Sequence, residues 1–360
     1  MKVTVSKYLN VRVGEPSLDA PNYQYLAPGS VIEVDGKLYE GQDYDGNTLW
    51  FRDKANNYYW SGGVEYNNTH FLTDIANTDL WFHKLKINEI WNQYNEKGNL
   101  SSVLVLDTGI NNLSVFESQL NKPVLNFHPN SKTVKCEDKD HHGTHCSGLI
   151  ISNSSKFNIG IAPQAKLYVG KVNKTGNLKD ATTLKLALSE YLKPKYENTI
   201  DIISISQTLI NPDDELELLI NRHLEMNRIV VAAIGNDIFR ENLNTKKYPG
   251  FYKGPLSVGA CENDGRLSNY TCYPSKADIF CYGSEIMSYK NSEIPLPLTG
   301  TSQATAIVSG ITALVVSYLK KRNIEYDCNK IKALYSETSI TLNSNDIKIL
   351  NPIAIFKNIA

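Results

Sequence analysis

The segment Ser102-Val103-Leu104-Val105-Leu106-Asp107-Thr108-Gly109 is the starting point for predicting the fold. Residues 102–106 form a continuous, mainly apolar run, which is typical of a strand covered on both faces. The run ends at a carboxylate and a glycine-bearing turn. Further apolar runs follow at residues 167–172, 200–205 and 229–233. We predict that these segments are strands of one buried sheet.

Helical segments lie between the predicted strands, for example at residues 180–192 and 213–227. The second begins with Asp213, Asp214 and Glu215, whose charges complement the positive end of a helix dipole. Strands that alternate with helices predict right-handed βαβ units and a parallel sheet with helices on both faces. The predicted fold class is therefore α/β.

Residues 1–66 follow a different pattern, in which short alternating strands are separated by turn signals such as Pro28-Gly29 and Asp35-Gly36. In the order of its motifs this region resembles a bacterial SH3 domain. The motifs are Leu9-Asn10-Val11-Arg12, Ala27-Pro28-Gly29-Ser30, a strand with Trp50, and Tyr59-Trp60. An unclassified small β-barrel is the alternative. We predict an SH3-like barrel over residues 1–66, an Asn-rich linker over 67–80 and the α/β domain over 81–360.

Aromatic residues of this first module could form a groove for a peptide or protein ligand: Tyr44, Trp50, Tyr58, Tyr59 and Trp60. Alternatively they are core residues of a small barrel, which we expect for the two tryptophans. A further hypothesis is that the module packs on the α/β domain and gates access to it.

Composition narrows the classes of partner. The hydrophobic share is 41%, the charged share is 21% and the net charge is −1, with dispersed basic residues. This balance favours a globular protein without a nucleic-acid or membrane partner. The apolar run at residues 307–319 is interrupted by Ser309, Gly310, Thr312 and Ser317, so we predict a buried helix.

The N-terminus and the cysteines bear on the compartment. No apolar stretch of about 7–15 residues follows Lys2, so we expect a cytoplasmic protein, with atypical export as the alternative. The 6 cysteines are sparse for this length and predict free thiols rather than a disulfide framework. Because they show no zinc spacing, we predict no metal site.

Three predicted strand–helix junctions carry chemically matched side chains. The first contains Asp107, the second is Asp140-His141-His142-Gly143-Thr144-His145-Cys146-Ser147-Gly148, and the third is Leu298-Thr299-Gly300-Thr301-Ser302-Gln303-Ala304-Thr305-Ala306. Each alone is ambiguous, since Asp107 could be a turn residue, the histidines metal ligands and Ser302 a helix cap. Together they supply a hydroxyl nucleophile, a base, and a carboxylate that fixes the tautomer of the base.

The segments Asp-Thr-Gly, His-Gly-Thr-His and Gly-Thr-Ser-x-Ala, in this order, resemble the signatures of the subtilisin family of serine proteases. The resemblance extends over about residues 85–320. It implies a triad of Asp107, His142 and Ser302, with His141 on the entry loop and His145 as a structural residue. The segment 230–236 is similar to the family strand that ends in the oxyanion-hole asparagine, which is Asn236 here.

The chain departs from the family pattern in the segment that binds substrate. The family usually has Ser-Leu-Gly-Gly where this chain has Ser206-Gln207-Thr208-Leu209, and a small residue where it has Ile234, which precedes Gly235. On this resemblance, the substrate-binding residues are Ser206, Gln207, Thr208, Leu209, Ile234 and Gly235. Loss of both glycines predicts a narrowed pocket and restricted specificity at the residue before the scissile bond.

The predicted function is that of a serine endopeptidase, which hydrolyses protein or peptide substrates through an acyl-enzyme and requires no cofactor. Calcium stays open, since the loop at residues 152–158 lacks carboxylates but offers carbonyl and Asn oxygens. The alternatives are a transpeptidase or macrocyclase on the same fold, in which an amine outcompetes water, and an inactive pseudo-protease that acts as a binding module.

Overall fold

The computed structural model describes residues 1–44, 47–65, 80–128, 137–154, 157, 159–175, 178–237, 244–292, 295–341 and 347–360. Contacts divide the chain into two compact units, Met1–Thr78 and Asp79–Ala360. The linker predicted at residues 67–80 lies almost entirely outside the described residues.

The first unit is built from short strands: β1 (Lys2–Val5), β2 (Leu9–Val13), β3 (Asn22–Leu26), β4 (Val31–Glu33), β5 (Leu38–Tyr44), β6 (Asn47–Arg52), β7 (Asn57–Trp60) and β8 (Val64–Glu65). They form two antiparallel sheets, ordered β4-β1-β8 and β3-β2-β7-β6-β5. The prediction of an all-β region is confirmed, and residues of these strands share one apolar core.

Most of the aromatic residues considered for a ligand groove in the first unit are buried. Trp50, Tyr58, Tyr59 and Trp60 belong to the buried core, whereas Tyr44 is 50% exposed and packs edge-on against Trp60. Each indole also donates its ring N–H to a backbone carbonyl, as buried tryptophans usually do. The core role expected for the two tryptophans agrees with this placement.

The second unit contains strands β9 (Ser102–Asp107), β10 (Leu125–Asn126), β11 (Lys166–Lys171), β12 (Ile202–Ile205), β13 (Ile229–Ala233), β14 (Leu256–Cys261), β15 (Ile279–Tyr282), β16 (Ile286–Ser288) and β17 (Leu296–Leu298). The first seven of these form one parallel sheet, ordered β10-β11-β9-β12-β13-β14-β15. The last two pair with each other as an antiparallel hairpin.

The helices of this unit are α1 (Leu80–Lys84), α2 (Ile87–Tyr94), α3 (His142–Ile151), α4 (Thr182–Tyr191), α5 (Asp214–Glu225), α6 (Thr301–Lys321), α7 (Cys328–Thr338) and α8 (Pro352–Ile359). Helices α4 and α5 share one apolar cluster with alternate residues of β9, β12 and β13. Helix α6 contacts β12, β13, β14 and β15 and packs against α3. The predicted α/β fold, a parallel sheet with helices packed on it, is thereby confirmed.

Helix α6 is the central helix of the unit. By length and apolar composition it could cross a membrane, yet its apolar window is entirely buried inside the domain. Three of its polar side chains are satisfied locally, since Thr305, Ser309 and Thr312 each donate to the carbonyl four residues earlier. A Cβ at Gly310 would lie 2.9 Å from Cβ of Ile161, so glycine permits the close packing at this point. The helix is a core element, as predicted.

Candidate active site

Three adjacent strands bring the predicted site residues to one edge of the sheet. Strand β9 ends at Asp107, β12 is followed by Ser206, and β13 leads through Gly235 to Asn236. Carboxyl ends of parallel strands meet at the same edge, where α/β proteins bind their ligands. Helices α3 and α6 begin at this edge and place His142 and Ser302 in their first turns.

Asp107 and His142 form a hydrogen-bonded pair in which the carboxylate is fully buried. His142 Nδ1 lies 2.8 Å from Asp107 Oδ1, and the side chains are 17% and 0% exposed, respectively. The same oxygen accepts the backbone N–H of Thr108 at 2.7 Å. A carboxylate on Nδ1 keeps the proton on that nitrogen, which leaves Nε2 as the base.

The electrostatic setting of His142 favours its cationic form. Burial by itself lowers the pKa of this imidazole, but the charge of Asp107, assisted by the hydrogen bond between them, outweighs burial and raises the pKa well above 6.5. A base of this kind accepts a proton readily and holds it while the reaction proceeds.

Ser302 is 8% exposed and lies in the first turn of α6. Its hydroxyl donates to the backbone carbonyl of Ser206 at 3.1 Å, and the Ser206 hydroxyl donates in return to the carbonyl of Ser302 at 3.2 Å. Ser302 and His142 line the same cavity. A rotation about the Cα–Cβ bond redirects a serine hydroxyl, and hydrogen bonds between catalytic groups often form only when substrate binds.

Asn236 has a fixed orientation. Its Oδ1 accepts the backbone N–H of Thr301 at 2.9 Å and the Thr301 hydroxyl at 2.8 Å. The Nδ2 end of the amide is therefore the end that can donate to a ligand. Backbone N–H groups in the first turn of α6 are not used by the hydrogen bonds of the helix itself. The Asn236 amide and the Ser302 N–H together could stabilise negative charge on an oxygen.

A cavity of about 210 Å³ connects these groups. Of the residues expected to bind substrate, Ser206, Thr208 and Gly235 line it, in company with His142, Asn236, Lys247, Leu298, Thr299, Thr301, Ser302 and Gln303. The side chains of Leu209 and Ile234 are buried outside that lining. Leu209 belongs to the apolar cluster shared with α4 and α5 and pairs with Tyr248 through backbone hydrogen bonds.

Gln207 has a different role from the expected contact with substrate. Its side chain is 0% exposed, and its Nε2 donates to Asp107 Oδ1 at 3.0 Å. Its Oε1 accepts from Asn173 Nδ2 at 3.3 Å. The structure thus places Gln207 behind the triad, because consecutive residues of an extended segment point to opposite sides.

Asp138 is a site residue that the sequence reasoning missed. Its buried carboxylate accepts the backbone N–H groups of His141 and Thr144, at 2.9 and 2.7 Å, and the hydroxyls of Thr108 and Thr144. It therefore fixes the start of α3 and the turn after β9 relative to each other. The sequence did contain an indication of this role, namely an acidic residue shortly before the helix that begins at His142.

The two neighbouring histidines are occupied by other contacts. His145 Nε2 lies 3.0 Å and 3.1 Å from the carbonyls of Ile286 and Leu296, and burial lowers its pKa to about 3. His141 caps α3 in a left-handed conformation, with its ring 3.0 Å from Asn111 Nδ2. This placement agrees with the structural role expected for His145.

Cys146 lies beside the triad, with Sγ 3.9 Å from His142 Nδ1. The ligand atoms of Asp107, His142 and Cys146 are within 4.8 Å of one another, which could hold a metal ion. Burial raises the pKa of the Cys146 thiol, and this opposes the thiolate form that metals bind. The 5 described cysteines are free. In the loop considered for calcium, residues 155, 156 and 158 lie outside the described residues.

Comparison with known proteins identifies the class. The subtilase family model matches residues 98–351, so the chain belongs to the subtilase family. The thermostable alkaline protease of Halalkalibacterium halodurans is 30% identical over 69% of this chain and 64% of its own length. Subtilisin BL of Lederbergia lenta is 28% identical over 68% of this chain and 85% of its own length. These matches support assignment of the chain to the serine endopeptidase class of hydrolases.

Solved structures agree with this assignment. The prenylagaramide maturation protease PagA is 25% identical, with a TM-score of 0.63, and the match covers 76% of this chain and 98% of PagA. MycP1 with its N-terminal propeptide removed is 21% identical, with a TM-score of 0.61 over 77% of this chain and 96% of MycP1. The second match concerns the fold alone.

Proposed function

We propose that the protein is a serine endopeptidase that cleaves protein or peptide substrates with restricted specificity. The observation that carries this proposal is the Asp107–His142 hydrogen bond at the edge of a cavity that Ser302 and Asn236 also line. Family membership supports it. The description of PagA as a maturation protease supports the narrower idea of a processing enzyme.

The proposed reaction gives each of these groups a defined role. Ser302 Oγ forms a bond to the peptide carbonyl carbon while its proton passes to His142 Nε2. Asn236 Nδ2 and the Ser302 N–H donate to the oxyanion that results. The C–N bond breaks as His142 returns the proton to the leaving amine, and an acyl-enzyme remains. Water then repeats the sequence, releases the new carboxyl end and restores Ser302.

Labelling with a fluorophosphonate probe tests this proposal. We expect the probe to modify Ser302 in the wild-type protein and to leave Ser302→Ala unlabelled. Peptide mapping identifies the modified residue. Absence of labelling on a folded wild-type protein would contradict the proposal and favour the pseudo-protease that only binds.

Hydrolysis and transpeptidation differ only in the group that attacks the acyl-enzyme. Mass spectrometry of peptide products, with an added amine nucleophile, separates them. We expect products that have gained water. A majority of amide-linked or cyclic products would instead identify a transpeptidase or macrocyclase.

We also propose that the Met1–Thr78 unit is an SH3-like module. Its antiparallel sheets, the apolar core and the order of its sequence motifs support this assignment. A ligand of the module would bind outside the buried aromatic cluster. Isotope-edited NMR of the full chain, titrated with a partner peptide, would locate such a surface.

A further inference from the structure

Lys247 lines the active-site cavity with His142 and Ser302, although the sequence motifs gave it no role. It lies three residues before Gly250 in the segment Lys246-Lys247-Tyr248-Pro249-Gly250. None of the described residues that line the cavity carries a carboxylate. Among the described lining residues, the cavity wall therefore presents the Lys247 ammonium without a carboxylate.

The side chain of Lys247 is held in place at both ends. Its aliphatic stem packs over Gly235, since a Cβ there would lie 2.6 Å from Lys247 Cδ and 2.9 Å from Lys247 Cβ. Its ammonium group donates to the backbone carbonyl of Asn236. A neutral carbonyl does not neutralise the ammonium, so the charge remains available to a ligand.

The position of Lys247 relative to the reacting atoms decides which part of a substrate it meets. The attacked carbonyl must lie about 3 Å from both Ser302 Oγ and the oxyanion donors. The side chain of the residue before the scissile bond begins at Cβ, two bonds from the carbonyl carbon. The cavity lining nearest to such a side chain would include Ser206, Thr208 and Gly235, and Lys247 packs over Gly235.

We propose that Lys247 selects substrates with Asp or Glu immediately before the scissile bond. This inference rests on the proposed function. A carboxylate in that position forms a charge-assisted hydrogen bond with the ammonium. A large apolar side chain would remove water from the ammonium without replacing its hydrogen bonds, and a Lys or Arg would be repelled.

Peptidyl diphenyl phosphonates test the inference, because they modify the serine nucleophile and carry a chosen side chain at the selected position. Four probes would differ only there, with Glu, Gln, Leu or Lys. For the wild type we expect Ser302 to react about tenfold faster with the Glu probe than with its neutral isostere Gln. Leu and Lys probes should react more slowly than the Glu probe.

Lys247→Met should bring the Glu and Gln rates together, and Lys247→Glu should make the Lys probe the fastest. The matched control is Lys246→Met, since Lys246 is the exposed neighbouring lysine and should leave the wild-type order intact. A simple fluorophosphonate, without any peptide side chain, reports whether each variant retains a reactive Ser302.

The outcomes separate the two proposals. Equal Glu and Gln rates, a faster Leu probe, or no reaction with any peptidyl probe despite fluorophosphonate labelling would overturn the role of Lys247 and leave the proposed function standing. No labelling by the fluorophosphonate would overturn the proposed function itself. A Glu preference that survives in Lys247→Met would show that another group supplies it.

Discussion

At the scale of single residues, the two carboxylate oxygens of Asp107 differ in their hydrogen bonds. Oδ1 accepts hydrogen bonds from Thr108, His142 and Gln207, whereas Oδ2 is buried without a hydrogen-bond partner among the described residues. Three donors on one oxygen fix the plane of the carboxylate. The imidazole is therefore oriented before substrate arrives, which lowers the reorganisation that the reaction requires.

The raised pKa of His142 predicts the pH dependence of activity. Only the neutral imidazole can accept the Ser302 proton, so activity rises with pH as His142 loses its proton. Because its pKa lies well above 6.5, we expect the rising limb of kcat/KM to have its midpoint above pH 6.5. Initial rates across a pH series measure it, and a midpoint at or below 6.5 would contradict the assignment.

Asn236→Ala should reduce kcat much more than it changes KM, because in the proposed mechanism the amide donates mainly to the oxyanion of the transition state. The expected loss is about 10²–10³-fold, a magnitude known from the equivalent asparagine of subtilisin. Steady-state kinetics measure it, with Asn198→Ala, at an exposed position outside the cavity, as the control. A loss that appears only in KM would argue for ground-state binding instead.

Gln207→Met tests the amide behind the triad. The change keeps the volume but removes the donor to Asp107 Oδ1, which concentrates negative charge beside His142. We expect kcat to fall about tenfold, in line with a lost hydrogen bond to a charged group, and the rising pH limb to move to higher pH.

KM should stay unchanged in Gln207→Met, since Gln207 lies outside the cavity lining. Gln164→Met is the exposed control. If the midpoint of the rising pH limb were the same in Gln207→Met as in the wild type, Gln207 would contribute only to packing.

At the scale of secondary-structure elements, the sequence predicted the strands well and their ends less well. The strand at Ile229–Ala233 occurs as predicted, whereas the run at residues 200–205 begins as a strand only at Ile202. Asp213 caps α5 by accepting the N–H of Leu216 at 2.8 Å, so that helix begins at Asp214. The pattern of apolar residues predicts that a helix or strand is present, whereas local hydrogen bonds determine the residue at which it begins.

Helices α4 and α5 are joined by buried polar groups. His223 Nε2 lies 3.1 Å from the carbonyl of Leu188, and its Nδ1 accepts from the guanidinium of Arg228 at 2.8 Å. Burial, together with the charge of Arg228, lowers the pKa of His223 to about 4. The folded protein thus holds this histidine neutral at pH values where the unfolded chain protonates it.

This difference predicts a loss of stability in acid. Between pH 6.5 and about 4, His223 is protonated in the unfolded state but neutral in the folded state. The free energy of unfolding therefore falls as pH falls. The contribution of His223 is on the order of 3 kcal/mol by pH 4. His145 acts in the same direction, with a folded pKa of about 3.

Urea unfolding of Ser302→Ala at pH 7 and pH 5 measures the effect without self-cleavage. Adding His223→Gln should make the free energy of unfolding fall less between the two pH values. Adding His83→Gln, at an exposed position, should leave that fall unchanged. An identical pH dependence in both variants would show that His223 is protonated in the folded state as well.

At the scale of the whole molecule, the predicted triad, the Asn236 amide and the cavity residues all belong to the Asp79–Ala360 unit. The Met1–Thr78 unit has an apolar core of its own. We therefore expect a variant without residues 1–66 to retain the fluorophosphonate labelling rate and the peptide preference of the full chain. A changed rate or preference would support the hypothesis that the first unit gates access to the site.

The sequence by itself predicted the α/β class, the alternation of strands and helices, and candidate residues for the triad and for the oxyanion donor Asn236. These features follow from local patterns, because buried parallel strands are continuously apolar and the motifs sit where strands end. The sequence did not determine which neighbours face the cavity. Gln207, Asp138 and Lys247 received their positions only from the packing of distant segments.

The physical reason is that side-chain direction depends on the segments packed around a residue. Gln207 and Thr208 are adjacent in the chain, yet one lies behind Asp107 and the other lines the cavity. Lys246 and Lys247 are adjacent too, and only Lys247 is folded over Gly235. A motif fixes which chemical groups are present, whereas the tertiary structure fixes which of them a substrate can reach.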